Sequence, residues 1–428
     1  MLDLIKNSIA PFYHRLISSI AFYPSLILIG FISLVGFMLS IEDNKSTKWM
    51  IENAPYLVIN NADTARSILS TMIGGLISLM VFSFSMVMML LNQASSNFSP
   101  RLLPGLISDK RNQFVLGIYL GTIVYNIIVL MTVLPSGNEY TLNGFSILIG
   151  ILLAMGCLVA FIYFIHTVSS GIQINNILKS IFESTKLRLL HLQKREEEEN
   201  KESAITVDEW HVTKSIKAGY YQGVNLEGLQ NICQDREINL KVFPYKGEYL
   251  MPNVKLFAID KNLQNEDIKS ISSYFIFAES RDVSENYSLG IKQLTEVGIK
   301  AMSPGINDPG TAVITIDYLT ELLALRMQLG QEQIYRNEVN NTTIELHSLS
   351  FGNLIYHLLA AYRQYCKHDI ILMEKIVTML KYLTKQPAKL EQYHQVLEVQ
   401  MKILVQDIES NINNTFDLER LNNLMESN

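Results

Sequence analysis

The sequence predicts a membrane α-helical protein: four transmembrane helices, then a cytoplasmic α+β region with a small β-barrel-like subdomain and a helical C-terminal part. Three observations carry this prediction. Four apolar runs, about Phe22–Ile41, Ser67–Leu91, Phe114–Leu134 and Phe145–Val168, approach the ~20 residues that cross a bilayer. Charge is unevenly divided, because only eight of the 35 Lys/Arg and seven of the 41 Asp/Glu lie in residues 1–170, leaving 27 and 34 in the rest. Beyond residue 205, short β-branched and aromatic runs broken by Pro and Gly give way, from about residue 266, to helical periodicity.

Taken in order, residues 1–21 mix apolar and polar side chains with only Lys6 and Arg15 as strong bases, and read as a retained amphipathic lead-in. The transmembrane domain is expected over 22–170, and its third and fourth spans form a hairpin through Pro135-Ser-Gly-Asn138. Within the first connection, the apolar and aromatic stretch Trp49–Ile59 suits the outer headgroup layer or a packed loop. His166, at the end of span four, reads as a snorkelling or hydrogen-bonding residue more readily than as a proton-sensitive one. A cytoplasmic helix and a charged linker, KREEEENKE, fill 171–205.

The second span carries small or polar residues along one helical side. Ser67, Ser70, Thr71, Gly74, Ser78, Ser85, Asn92, Gln93, Ser96 and Ser99 follow one another at near-helical steps, interrupted near Val81 and Phe82, and lead to Arg101. In hydrocarbon such a face either permits close helix contact or lines water. On the first reading it is a packing seam; on the second it is a pathway wall, with Arg101 at a cytoplasmic mouth favouring anions. Leu79 and Met86 are assigned to the lipid side.

The β subdomain is placed at 206–265 and the helical cytoplasmic domain at 266–428. VFPYKGEYLMPNVKLFAI (242–259) resembles the hairpin of barrel-sandwich, lipoyl-like modules, without a lysine placed to receive biotin or lipoate, so a structural or assembly role is expected. Farther on, Ser303, Pro304, Gly305, Asn307, Asp308 and Pro309 form a helix-to-helix corner: Asp308 as N-cap, Pro309 as first helical residue, and Gly305 supplying an unusual backbone angle.

Four segments together, DTARSILSTMIGGLISLMVFSFSMVMMLLNQASSNFSPRLL (63–103), RNQFVLGIYLGTIVY (111–125), FIYFIHTVSSGIQ (161–173) and GIKQLTEVGIKAMSPGINDPGTA (290–312), resemble the predicted bacterial membrane proteins of domain of unknown function 2254. The resemblance implies a four-helix membrane part followed by a cytoplasmic part, and implies no activity. Gly310 departs from the pattern, in which a bulkier residue is common.

Chemistry signatures are sparse. There is no HxxxH or HExxH pair, no Cys-x-x-Cys, no phosphate loop, no dinucleotide fingerprint and no Gly-x-Ser-x-Gly elbow. No metal, no cofactor and no enzymatic activity are therefore expected, and Asn307-Asp308, Arg281-Asp282 and Glu296 are the polar groups to watch. The acidic soluble part argues against nucleic acid as a partner. The resulting expectation is a homo-oligomeric inner-membrane channel or transporter for an ion or small solute, partnered by the lipid bilayer and carrying a cytoplasmic regulatory or assembly domain. The competing reading is a membrane-anchored sensor or scaffold.

Bases near the spans set the expected orientation, since short flanks rich in Lys and Arg stay cytoplasmic. Arg101, Lys110 and Arg111, and then Lys179, Lys186 and Arg188, place both termini in the cytoplasm. A reporter fused after Asn428 should thus be cytoplasmic and one inserted at Asn138 external; a periplasmic C-terminal reporter would reverse the topology.

Overall fold

The computed structural model describes residues 21–41, 59, 61–97, 110–133, 144–171, 174–198, 210–278, 286–337 and 342–426. They belong to two compact units, Met1–Gln173 and Ile174–Asn428. The lead-in before Ala21, the stretch Trp49–Val58, the connection holding Arg101 and the third connection lie outside the described residues.

The first unit contains α1 (Phe22–Ile41), α2 (Ala62–Asn97), α3 (Lys110–Thr132) and α4 (Gly144–Gly171), each long and apolar enough to cross a membrane. A lipid-embedded backbone must satisfy its own polar groups, which a continuous helix does. At its start α2 is capped by Asn61, whose side-chain oxygen accepts from the Asp63 and Thr64 amides at 2.8 and 3.0 Å. One turn later Arg66 donates through Nε and Nη2 to the Val133 carbonyl, at 3.1 and 2.7 Å, neutralising the C-terminal end of α3.

α3 is the central helix, with half of its membrane-length window buried against about a tenth for α1 and α2. Close approach to α1 depends on two glycines one turn apart. A Cβ at Gly117 would lie 2.6 Å from Ile27 Cδ1, and one at Gly121 equally near the Phe31 ring. The polar residues of α3 turn inward, as intramembrane polar groups must. Asn126 Nδ2 donates to the Thr122 carbonyl at 2.9 Å, Cys157 Sγ meets Thr122 Oγ1 at 3.4 Å, and Tyr125 donates to the Ser146 carbonyl at 3.1 Å.

The second unit opens with α5 (Ile174–Glu198), which is built into the soluble fold along its length. Phe182 stacks on Tyr318 with ring centroids 4.5 Å apart, Lys186 pairs with Glu321 at 2.5 Å, and Glu196 accepts from the Gly330 amide at 3.1 Å. Part of the charge run expected to be a solvated linker therefore belongs to α5, where Glu196 holds the turn at Gly330. Charged residues on a helix face read alike whether they meet water or an orphan amide.

Eight strands follow, interleaved with helices: β1 (His211–Lys214), β2 (Gly219–Val224), α6 (Leu226–Arg236), β3 (Leu240–Val242), β4 (Tyr249–Leu250), β5 (Lys255–Ile259), α7 (Asn265–Ser273) and β6 (Phe275–Ala278). After α8 (Tyr287–Ala301) and α9 (Pro309–Met327) come β7 (Glu332–Asn337) and β8 (Thr342–His347). These strands form two open sheets, ordered β1-β5-β3-β8-β7 and β4-β2-β6. No closed barrel is formed by the described residues, where a barrel-like subdomain was expected. β3 and β5 do pair antiparallel, yet the connection between them carries Tyr249–Leu250 into the other sheet, where it pairs with Gly219 and Tyr220. On its other side β3 takes β8 in parallel register, Lys241 beside Glu345, so the sheet extends into the 266–428 part read as a helical domain. Lys241 Nζ meets the fully buried Glu345 carboxylate at 2.5 Å.

Of the remaining helices, α10 (Phe351–Cys366) packs on α8 and α11 (Ile370–Thr384) on α9, α12 (Gln392–Asn411) packs on α10 and α11, and α13 (Thr415–Glu426) packs on α11. A Cβ at Gly298 of α8 would overlap the Tyr362 hydroxyl, which instead shares a 2.8 Å hydrogen bond with Thr315 Oγ1. Arg326 is fully buried near the end of α9 and donates to the Tyr287 hydroxyl at 2.9 Å and to the carbonyls of Leu329 and Leu349 at 3.1 and 3.4 Å.

The two members of the Lys241–Glu345 pair differ in their access to water, 19% against none for the side chains. Lys241→Ala strands a buried carboxylate and should cost about 3–5 kcal/mol, whereas Glu345→Ala leaves a lysine able to reach solvent and should cost less. Thermal unfolding of the full chain in detergent reads the asymmetry; equal losses would refute it.

Candidate functional site

At 3.6 residues per turn, α2 presents two opposed faces. One holds Ala62, Ala65, Leu69, Leu76 and Ser83, all buried against the other helices of its unit. The other holds Ser67, Ser70, Thr71, Gly74, Ser78, Ser85 and Asn92, all exposed. The small and polar face is thus turned away from α1, α3 and α4. An added Cβ at Gly74 or Gly75 would meet nothing within 4 Å, in contrast to Gly117 and Gly121. Several hydroxyls bond back to their own helix: Thr71 to the Ser67 carbonyl at 2.8 Å, Ser70 to the same carbonyl at 3.2 Å, and Ser78 to that of Gly74 at 2.9 Å. Each satisfies its proton locally and leaves lone pairs facing outward.

Gln93 and Ser96 lie on the last turns of α2, beyond the side chains described, while Ser99 and Arg101 lie outside the described residues altogether. Leu79 and Met86 are half-buried, and Met86 packs against the cluster around Tyr119 and Phe164. Both sit about 100° round the helix from the polar face. Ile77, Val81, Phe82, Phe84, Met88 and Met89 are the large hydrophobic residues exposed on this helix among those described. His166 is exposed on α4.

The corner between α8 and α9 forms as expected at Asp308, whose side chain accepts from the Thr311 amide at 3.1 Å, with Pro309 opening the helix. The Ser303 carbonyl accepts from the Ile306 and Asn307 amides, both at 3.0 Å. The left-handed residue is Asn307, at φ 48°; Gly305 is not at positive φ. That corrects the role expected of Gly305, and the physical reason is that Asn tolerates this region better than other side chains. At Gly310 a Cβ would approach Asp308 Oδ1 to 3.4 Å, an ordinary contact. Glu296 lines a cavity elsewhere in the unit, and Arg281-Asp282 lies outside the described residues.

No group of three or more His, Cys, Asp or Glu able to hold a metal occurs among the described residues. Cys157, Cys233 and Cys366 are buried, and burial pushes the Cys233 and Cys366 thiols up to about 12, far from thiolate chemistry.

Four membrane-length helices followed by an α+β unit agree with what comparison of the whole sequence finds. The model of a family described as predicted membrane proteins, DUF2254, matches residues 17–382. The chain belongs to that family. Its relatives include the uncharacterized proteins Mb1321c of Mycobacterium bovis and Rv1290c of Mycobacterium tuberculosis, each 22% identical over 338 residues. The match covers 74% of this chain but 63% of either relative, so this DUF2254 chain spans under two thirds of their length. No solved structure matches the chain.

Replacing Asp308 by Ala removes a cap and should cost roughly 0.5–2 kcal/mol. Asn307→Val, forced into the left-handed region, should cost about 1–2 kcal/mol. Gly305→Ala should stay within about 0.5 kcal/mol. Unfolding midpoints of the three variants rank these effects, and a large loss at Gly305 would return the strained position to that residue.

Proposed function

We propose that the protein assembles in the bacterial inner membrane as a homo-oligomer through the outward face of α2, and that these faces border a path for an ion or small solute. The soluble unit acts without enzymatic chemistry, organising or regulating the assembly from the cytoplasm. One observation carries the reading: Ser67, Ser70, Thr71, Gly74, Ser78, Ser85 and Asn92 are exposed on the side of α2 opposite its buried face. Small side chains let helix backbones approach, and outward lone pairs suit either a second helix or a partly dehydrated solute. Large apolar side chains would serve a purely lipid-facing surface at least as well. Val81 and Phe82, exposed in the middle of the face, supply a constriction between its polar ends.

The test uses the buried native cysteines as a quiet background. Single cysteines at Ser70, Thr71, Gly74 and Ser78 should react with water-soluble thiol reagents in reconstituted vesicles, while cysteines at Ile162, exposed on α4, and at buried Leu76 should not. Gly74→Leu and Ser78→Leu should dissociate the oligomer. Vesicle flux assays over a panel of ions and small solutes complete the test. An unlabelled face with assembly lost in the leucine variants leaves a packing seam and favours a membrane-anchored sensor or scaffold. A monomer indifferent to all the substitutions refutes both parts.

A further inference from the structure

In the soluble unit Lys246 sits on the connection between β3 and β4, beside Gly247 at φ +88°. A Cβ at Gly247 would press to 2.8 Å from Asn286 Nδ2, which donates to the Lys246 carbonyl at 2.8 Å and pins the loop to the start of α8. Gly223 of β2 leaves room for the lysine stem, since a Cβ there would come within 2.8 Å of Lys246 Cε. Both glycines have positive φ and keep the loop close. The lysine borders a cavity of about 200 Å³.

Arg188 of α5 lines the same cavity, and its Nε is buried without a hydrogen-bond partner among the described residues. A buried guanidinium N–H that lacks an acceptor is costly, and an anion would remove the cost. His347, the last residue of β8, and Ser348 after it complete the wall, together with Asn286, the N-cap of α8, and Ser288, whose amide and hydroxyl both donate to Asn286 Oδ1. No Asp or Glu is among the described residues lining the cavity, although acids outnumber bases by 34 to 27 beyond residue 170. Arg188 and Lys246 with no carboxylate among the described lining suit an anion.

We propose that this cavity binds the phosphate group of a small ligand. Arg188 Nε, the Lys246 ammonium and the Ser348 hydroxyl, which accepts from Gln333 Nε2 and keeps its own proton, are donors of different reach, and a tetrahedral group with several strong acceptor oxygens can use them together. A second cavity of about 420 Å³ shares Lys246, Asn286, Ser288 and Leu349 with the first and is walled by Ile299, Leu354 and Leu358, among others. It holds the organic body of a phosphomonoester. The proposal rests on the soluble unit alone and is independent of what α2 does.

Calorimetric titration of the full chain in detergent, at constant ionic strength, uses inorganic phosphate, glycerol 3-phosphate and AMP as probes. Saturable one-to-one binding of at least one is expected, and which binds tightest distinguishes free phosphate from a phosphomonoester as the source. Loss of one charge-assisted contact in Arg188→Met or Lys246→Met should weaken it roughly ten- to a hundredfold. Lys402→Met, at an exposed position on α12, should leave it unchanged. Should either cavity variant fail to fold, Ser288→Cys in the otherwise unaltered chain supplies the second readout: the tightest probe should slow its labelling by a thiol reagent. No saturable binding, binding that survives both methionine variants, or labelling indifferent to the probe would overturn the site.

Discussion

A buried cation with no carboxylate partner among the described residues organises the second unit. Arg326 is satisfied by neutral acceptors alone among the described residues: the Tyr287 and Tyr393 hydroxyls and the backbone oxygens of Leu329 and Leu349. Those acceptors belong to the first residue of α8, the turns flanking β7 and β8, and the first turn of α12. An uncompensated buried charge is expensive, so each of these segments must be in place for the guanidinium to be tolerated. Lysine would lack the planar fork that reaches several oxygens at once. Tyr393 also donates to the Leu329 carbonyl at 3.0 Å, closing the network on itself. Tyr287 and Leu349 in turn line the cavity of Arg188 and Lys246, so a wall of that cavity depends on a charge placed behind it.

What could be read in the sequence follows the range of the interactions. The four membrane helices are local features of length and apolarity, and the observed spans fall within a few residues of those expected. Asp308 is legible for the same reason, since a cap contacts a residue three positions on. The parallel pairing of β3 with β8 is not, because Leu240 and Ile344 are brought together only by the intervening helices. Runs as short as Leu240–Val242 carry too little alternation to announce two open sheets, and a β-branched run between turns fits a barrel equally well. Arg188 gave no signal at all: it lies on an amphipathic helix among other charged residues, and its significance comes from burial of a single nitrogen.

Glycine in the membrane unit shows the limit most directly. Gly117 and Gly121 on α3, and Gly74 and Ser78 on α2, are all small residues one turn apart in an apolar run. In the fold the first pair is filled by Ile27 and Phe31 of α1, while the second faces outward. Periodicity draws most polar residues of α2 to one face, but direction depends on which side the buried Leu69, Leu76 and Ser83 choose. That choice is made by tertiary packing around α3.

The length of α2 adds a dependence on the lipid itself. Its apolar window, Ala62–Met89, has 28 residues, whereas α1 has 20. At 1.5 Å per residue these span about 42 and 30 Å, and only the shorter matches a hydrocarbon layer of ~30 Å. Hydrophobic mismatch of this kind is relieved by leaning, or by thickening the surrounding bilayer, at a modest cost for each ångström. α2 is held to its neighbours along one face only, so its other face absorbs the adjustment. Bilayer thickness thereby becomes a mechanical input to the exposed serines and glycines, set by acyl-chain length and sterol-like ordering before any solute or partner arrives.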